Sequence, residues 1–171
     1  MVLRCLGELL EVGDTMVIKY DENKSVTENN TKILTEISNC DFSLMNEDAL
    51  VILADSLFKL FKCNFESGNY SAMNEISHYC KSVVDSCIDR KLYSKKYCGE
   101  TIVDIACFVF EQMCMYEDKV LCLKTIIHSH DTDEGLKIRA LEEIMCPEPG
   151  VQSLIKEETD VFSAMLQQLT E

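Results

Sequence analysis

The chain predicts an all-α protein in which antiparallel helical hairpins stack on one another, and three observations carry that expectation. Two stretches, Glu47 to Cys63 and Lys95 to Tyr116, place apolar residues at i, i+3, i+4, i+7, i+8 and i+11, the recurrence of a helix face buried along its length. The only prolines are Pro147 and Pro149, so no proline interrupts a helix over the first 146 residues. An apolar content of 47% against 27% charged residues, over 171 residues, suits a single all-helical domain that needs no disulfide or metal to fold.

Taken in order, residues 3 to 19 predict a first helix with Leu6, Leu9, Leu10 and Val17 on one face, weakened by about 1 kcal/mol at each of Gly7 and Gly13. Apolar residues begin at Val2 without a polar cap, as in a piece of a larger scaffold or the first unit of a stack. Residues 21 to 30, DENKSVTENN, are rich in turn formers and predict a loop. A short helix over Thr31 to Ser38 follows, with Ile33, Leu34 and Ile37 to one side. Glu47 to Cys63 directs Leu50, Leu53, Ala54, Leu57, Phe58 and Phe61 inward and keeps Asp48, Asp55, Lys59 and Lys62 outside. Gly68 and Asn69 mark a turn, and Ser71 is a suitable N-cap for a helix to Asp89 whose face is Met73, Ile76, Cys80, Val84 and Cys87. These two make a hairpin.

After the basic link Arg90 to Lys96 comes the most apolar helix, with Ile102, Ile105, Ala106, Val109, Phe110 and Met113 on its main face. Val103, Cys107, Phe108 and Cys114 widen that face until only a strip at Glu100, Asp104 and Glu111 is left for water. Such a helix must be covered on several sides. A compact bundle around residues 95–116 is therefore the alternative to a stack. Glu117 and Asp118 favour a helix start, and Lys119 to Ser129 turns Val120, Leu123 and Ile127 inward. The acidic turn His130 to Glu134 leads into GLKIRALEEIM, which Pro147, Glu148, Pro149 and Gly150 terminate. The last helix, Val151 to Leu169, carries Phe162, Met165, Leu166 and Leu169 on one face.

Hairpins starting near residues 47, 95 and 134 recur at about the period of helical-repeat proteins. DEGLKIRALEEIM, with an acidic turn, Arg139, and inward alanine, leucine and isoleucine, resembles one helix of an armadillo or HEAT repeat, and GVQSLI followed by VFSAMLQQL resembles the helix stacked beside it. The resemblance covers residues 46–171. It implies a short superhelix whose exposed surface binds another protein. The bundle alternative is broadly similar to Bcl-2-like regulators, which would imply a groove for an amphipathic helix.

Sixteen basic and thirty acidic residues give a net charge of −14, which repels a phosphate backbone and argues against nucleic acid as a partner. Glu8, Glu11 and Asp14 interrupt what would be the apolar core of a signal peptide, so most of the ten cysteines are expected to be reduced core residues in an intracellular, cytoplasmic or nuclear, compartment. Asp104, Glu111 and Gln112 keep the longest apolar run short of a membrane span.

His128 and His130, with Cys122, lack the further ligands a metal site needs, and no cysteine is singled out by a nucleophile motif. No catalytic, metal or cofactor residue is therefore assigned. A thiol- or metal-dependent enzyme is the outlying alternative. The expected function is that of a non-enzymatic scaffold or adaptor that binds a peptide or helix, with self-association as a further expectation. Two surfaces are candidates. One is the basic, aromatic turn Arg90, Lys91, Tyr93, Lys95, Lys96 and Tyr97; the other is the final helix face Phe162, Met165, Leu166 and Leu169, set in a stretch from Asp131 whose balance is −7.

Overall fold

A computed structural model describes residues 18–95 and 97–171, together with the backbone of Glu11–Val12 and Thr15–Met16. Its architecture is all-α, and the chain divides into two compact units, Met1–Arg90 and Lys91–Glu171.

In the first unit the helix expected over residues 3 to 19 is corrected where it can be judged. Strands β1 (Glu11–Val12) and β2 (Thr15–Met16) pair antiparallel, with Glu11 opposite Met16 and Val12 opposite Thr15. The intervening sequence, Gly13-Asp14, is a residue pair that favours two-residue hairpins over helix. Residues 3–10, 13, 14 and 17 of the expected helix lie outside the described residues. Helix α1 (Val26–Ile37) starts five residues before its expected beginning, because Ser25-x-x-Glu28 is a capping box. Ser25 Oγ accepts the Glu28 N–H at 3.1 Å and donates to Glu28 Oε1 at 3.2 Å. Asn29 then fixes the preceding loop from inside: its amide accepts from Asp21 N and donates to the carbonyls of Asp21, Lys24 and Ser25.

After a 3-10 turn (Phe42–Leu44), α2 (Glu47–Ser67) and α3 (Tyr70–Asp89) form the expected hairpin. Asn46 caps α2 and Gly68, with φ 71°, closes it; the N-cap of α3 is Asn69, whose side chain accepts from Ala72 N, not Ser71. The buried stripe of α2 runs through Leu50, Leu53, Leu57, Leu60 and Phe61 and meets Met73, Ile76, Cys80, Val84 and Cys87 of α3. Leu60 takes the inward place expected for Phe58, which lies at the margin under the Lys62 ammonium, 5.2 Å from its ring centre. A reciprocal amide pair ties α1 to α2: Asn30 Nδ2 donates to Asn64 Oδ1 at 2.8 Å, and Asn64 Nδ2 donates to Asn30 Oδ1 at 2.7 Å.

The second unit opens with a 3-10 turn (Leu92–Ser94). Helix α4 (Cys98–Asp104) continues through a π-helical segment (Ile105–Phe110) and ends at residue 112, shorter than the expected 95–116. Its bare backbone at Gly99 lies against the Tyr93 carbonyl, which a Cβ would meet at 2.6 Å. Ile102, Ile105, Ala106, Val109 and Phe110 are buried as the spacing predicts. Helices α5 (Tyr116–His128), α6 (Glu134–Ile144), α7 (Pro149–Ile155) and α8 (Thr159–Thr170) cover it or one another. The single last helix expected over 151–169 is thus two, with the break at residues 156–158. No helix among the described residues is long and apolar enough to cross a membrane.

Candidate functional site

The clearest concave surface of the second unit lies where α5 and α7 begin side by side. Cys114, at φ 55°, turns the chain out of the central helix, and α5 starts two residues later. Pro149 occupies the first turn of α7, where its missing N–H costs nothing, and Glu148 accepts the Gly150 N–H at 3.2 Å. Gly150 lets the two helices approach: a Cβ there would fall 2.4 Å from Cδ2 of Tyr116. The resulting crevice, about 350 Å³, is lined by Cys114, Met115, Tyr116, Ser153 and Leu154, with Glu117 and Asp118 on the α5 wall. The Tyr116 hydroxyl donates to Cys114 Sγ at 3.6 Å; that bond, then burial, then the charges of Cys114 and Glu148 push its pKa up to about 12. It presents a neutral phenol.

Beyond the crevice, Lys124 Nζ donates to Glu158 Oε1 at 2.6 Å and ties α5 to the α7–α8 link. Leu121, Leu154 and Val161 lie within about one helical turn of this bridge along the chain, and they are 53%, 39% and 55% exposed. Glu117, Glu157 and Asp160 are exposed and Asp118 is half-buried. Apolar side chains therefore stand open to water in acidic surroundings.

The residues expected to form a site are distributed differently. Arg90 is half-buried, and its Nη1 donates to the Met45 carbonyl at 2.6 Å, which gives it a structural task in the first unit. Lys91 and Tyr97 have left-handed backbones, Tyr93 is half-buried, and Lys95 and Tyr97 are exposed, Tyr97 at 63%. Lys96 lies outside the described residues. On α8, Phe162 is a core residue, fully buried with its ring centre 6.2 Å from that of His128, which corrects the expectation that it stands partly open. Met165, Leu166 and Leu169 are half-buried. Sequence reasoning passed over Leu121 and Leu154. Leu121 is legible in retrospect as a leucine opposite the inward stripe Val120, Leu123 and Ile127.

A second group of polar residues runs between α4 and its neighbours. Asp104 is salt-bridged by Arg139, the carboxylate of Glu143 lies beside Cys107, and Lys119 Nζ donates to Glu111 Oε2 at 2.7 Å with Cys146 Sγ at 3.7 Å. Of the strip expected to face water, Glu100 is exposed, while Asp104 and Glu111 are partly exposed and also bridge cations. The Lys119 side chain is fully buried, whereas that of Glu111 is 37% exposed. Burial opposes the Lys119 charge, but the Glu111 hydrogen bond and the nearby Cys107, Cys146 and Glu111 charges outweigh it and raise its pKa. Burial, helped by Glu143, pushes the Cys107 thiol up to about 12. A protonated amine and a protonated thiol are poor nucleophiles, so Lys119 and Cys107 serve here to pair and pack helices. Among the described residues, no three His, Cys, Asp or Glu side chains are grouped to hold a metal ion.

A crevice of about 510 Å³ in the first unit is lined by Lys19, Tyr20, Asp21, Glu22, Lys32 and Lys59; its charges are mixed, and Lys59 bridges Asp55 at 3.1 Å. It favours neither sign of ligand. No protein-family model, curated protein or solved structure matches this chain.

Proposed function

We propose that the chain is a non-enzymatic protein-interaction domain, a scaffold or adaptor element whose helical surface receives a segment of another protein. The observation that carries this reading is the exposure of Leu121, Leu154 and Val161 around the Lys124–Glu158 bridge. Leu154 lines the crevice and Leu121 follows its wall residues Glu117 and Asp118 by one helical turn; exposed apolar side chains of this kind gain about 25 cal/mol per Å² when a partner removes them from water. The half-buried Met165, Leu166 and Leu169 of α8 add further area that a partner, or a further helical unit, can cover. Within this proposal the helical hairpins are read as armadillo/HEAT-like units. The pairing of α2 with α3 and of α5 with α6 supports that reading.

The test is affinity capture on the immobilised chain, followed by reconstitution of each captured protein with the purified chain. A saturable complex of fixed stoichiometry, weakened by Leu121→Asp with Leu154→Asp, supports the interaction role. Captured proteins that form no complex when purified, or complexes indifferent to every surface substitution, overturn it.

A further inference from the structure

Walls and rim of the α5–α7 crevice differ in chemistry, and together they specify one kind of occupant. We infer that it receives an amphipathic α-helix of a partner protein, apolar on the face that enters and bearing lysine or arginine along its flanks. This rests on the interaction role proposed above and names the surface and the chemistry of its ligand.

The occupant is a helix because of how the walls spend their backbone. Both walls are α-helical; past the first turns that open onto the crevice, the N–H groups of α5 from Lys119 onward are bonded back along the helix, so the stretch around Leu121 offers no free backbone to a ligand. An extended segment laid between them finds no ladder to join and leaves its own peptide groups unpaired. A helix brings its hydrogen bonds with it, and only its side chains have to fit. The thirteen residues of α5 extend for about 20 Å and the seven of α7 for about 10 Å, so a ligand helix is flanked by both for about two turns and by α5 alone for about two more. Leu121 and Leu154 supply contacts for apolar residues spaced at i, i+3 and i+4.

The flanks are cationic because of what surrounds those leucines. Glu117 and Asp118 stand on the α5 wall, and Glu157 and Asp160 follow α7. Of the two cations here, Lys124 is already paired with Glu158 and the exposed Lys156 follows α7, so with Glu117, Asp118, Glu157 and Asp160 the surroundings stay acidic in balance. An acidic helix would be repelled, and a second copy of this chain would bring its own charge of −14 to the same place. A basic helix meets the rim with opposite charge on both sides.

The probes are two synthetic helices of about 14 residues, one of leucine and lysine in an i, i+3, i+4, i+7 pattern, the other with glutamate in place of every lysine. Each is titrated into the full ¹⁵N-labelled chain, with affinity read by calorimetry at low and high salt. The lysine helix is expected to bind saturably, more weakly at high salt, and to shift the amide signals of Leu121, Ser153, Leu154 and Val161. The glutamate helix is expected not to bind. Leu121→Asp with Leu154→Asp alters exposed side chains only and adds negative charge, so a purely electrostatic contact would tighten. The inference requires instead a loss of at least about tenfold.

Undiminished binding to that variant, or amide shifts confined to other surfaces, overturns the inference. Sedimentation separates the remaining occupant: a dimer of the wild-type chain that the same variant abolishes assigns the surface to a second copy. That result overturns the basic-helix ligand and leaves the interaction role standing. If neither peptide nor second copy uses the crevice, a reconstituted complex made elsewhere on the chain preserves the broader role, and the absence of any such complex defeats both.

Discussion

Replacing Glu111 by leucine should destabilise the second unit more than replacing the lysine it holds. Lys119 has a fully buried side chain whose ammonium donates to Glu111 Oε2 at 2.7 Å, with Cys146 Sγ 3.7 Å away. Removing one partner of a fully buried pair costs about 3–5 kcal/mol, because the remaining charge is stranded. Glu111 is 37% exposed, so water already screens part of the attraction, and we expect about 2–3 kcal/mol for Glu111→Leu. Lys119→Met leaves the carboxylate at the surface, where water can resolvate it, and fills the same tunnel with an unbranched apolar chain. That change should cost no more than about 1 kcal/mol.

The double variant should recover most of what Glu111→Leu loses. With m near 1–2 kcal/mol per molar urea, Glu111→Leu should lower the midpoint by about 1–3 M. Circular dichroism during urea titration reads it. The pH dependence adds a check of sign. Because the Lys119 pKa is raised above its ordinary 10.5, the stability it contributes is complete below that value and is lost as pH rises through the folded one. The gap between wild type and Glu111→Leu should therefore close on the alkaline side. A Lys119→Met variant less stable than Glu111→Leu, or a double variant as unstable as the sum of the two, would refute the reasoning.

Three further outcomes are expected. Asn30→Ala should cost about 1–3 kcal/mol in thermal or urea unfolding, because it strips the Asn64 amide, fully buried between α1 and α2, of the partner that holds both its oxygen and one N–H. Between pH 9 and 12 the folded chain keeps the Cys107 proton that the unfolded chain releases, so stability should fall by about 1.4 kcal/mol per pH unit for this one group. Cys107→Ala should flatten that slope, and an unchanged alkaline profile would remove the thiol from the account. Among the described cysteines, a maleimide under native conditions should modify Cys114 first and leave Cys80, Cys87, Cys98 and Cys122 unmodified until the chain unfolds, as mass spectrometry after timed quenching can read.

What the sequence disclosed follows from what its signals depend on. Helix existence was legible because α2, α3 and α4 each repeat apolar residues over several turns, and a pattern that long has one good burial solution. Ends were less legible because caps are single-residue events. Ser25-x-x-Glu28 lay inside a stretch whose polarity reads as loop, and Asn69 competed with Ser71 for one cap. The break between α7 and α8 has no proline or glycine to announce it. For Glu11–Val12 and Thr15–Met16, which pair as strands, the Gly13-Asp14 pair between them was the local signal that the helical spacing masked.

The candidate site was legible only in its chemistry. The residues the sequence singles out, a basic turn and an apolar face of the last helix, are those most conspicuous in one dimension. The basic turn is conspicuous because its sign differs from the rest, but Arg90 is occupied by the Met45 carbonyl. Phe162 is conspicuous as the largest side chain of its helix, and for that reason the core claims it. Exposed leucines are what remains after the core has taken its stripe. Leu121 becomes visible only when the orientation of α5 is fixed by Val120, Leu123 and Ile127, and Leu154 only when Gly150 has brought α7 against Tyr116. A docking surface on a helical protein is in this sense a residual of folding. The apolar residues that fit the helical period identify the interior, and those that break it identify where a partner has something left to bury.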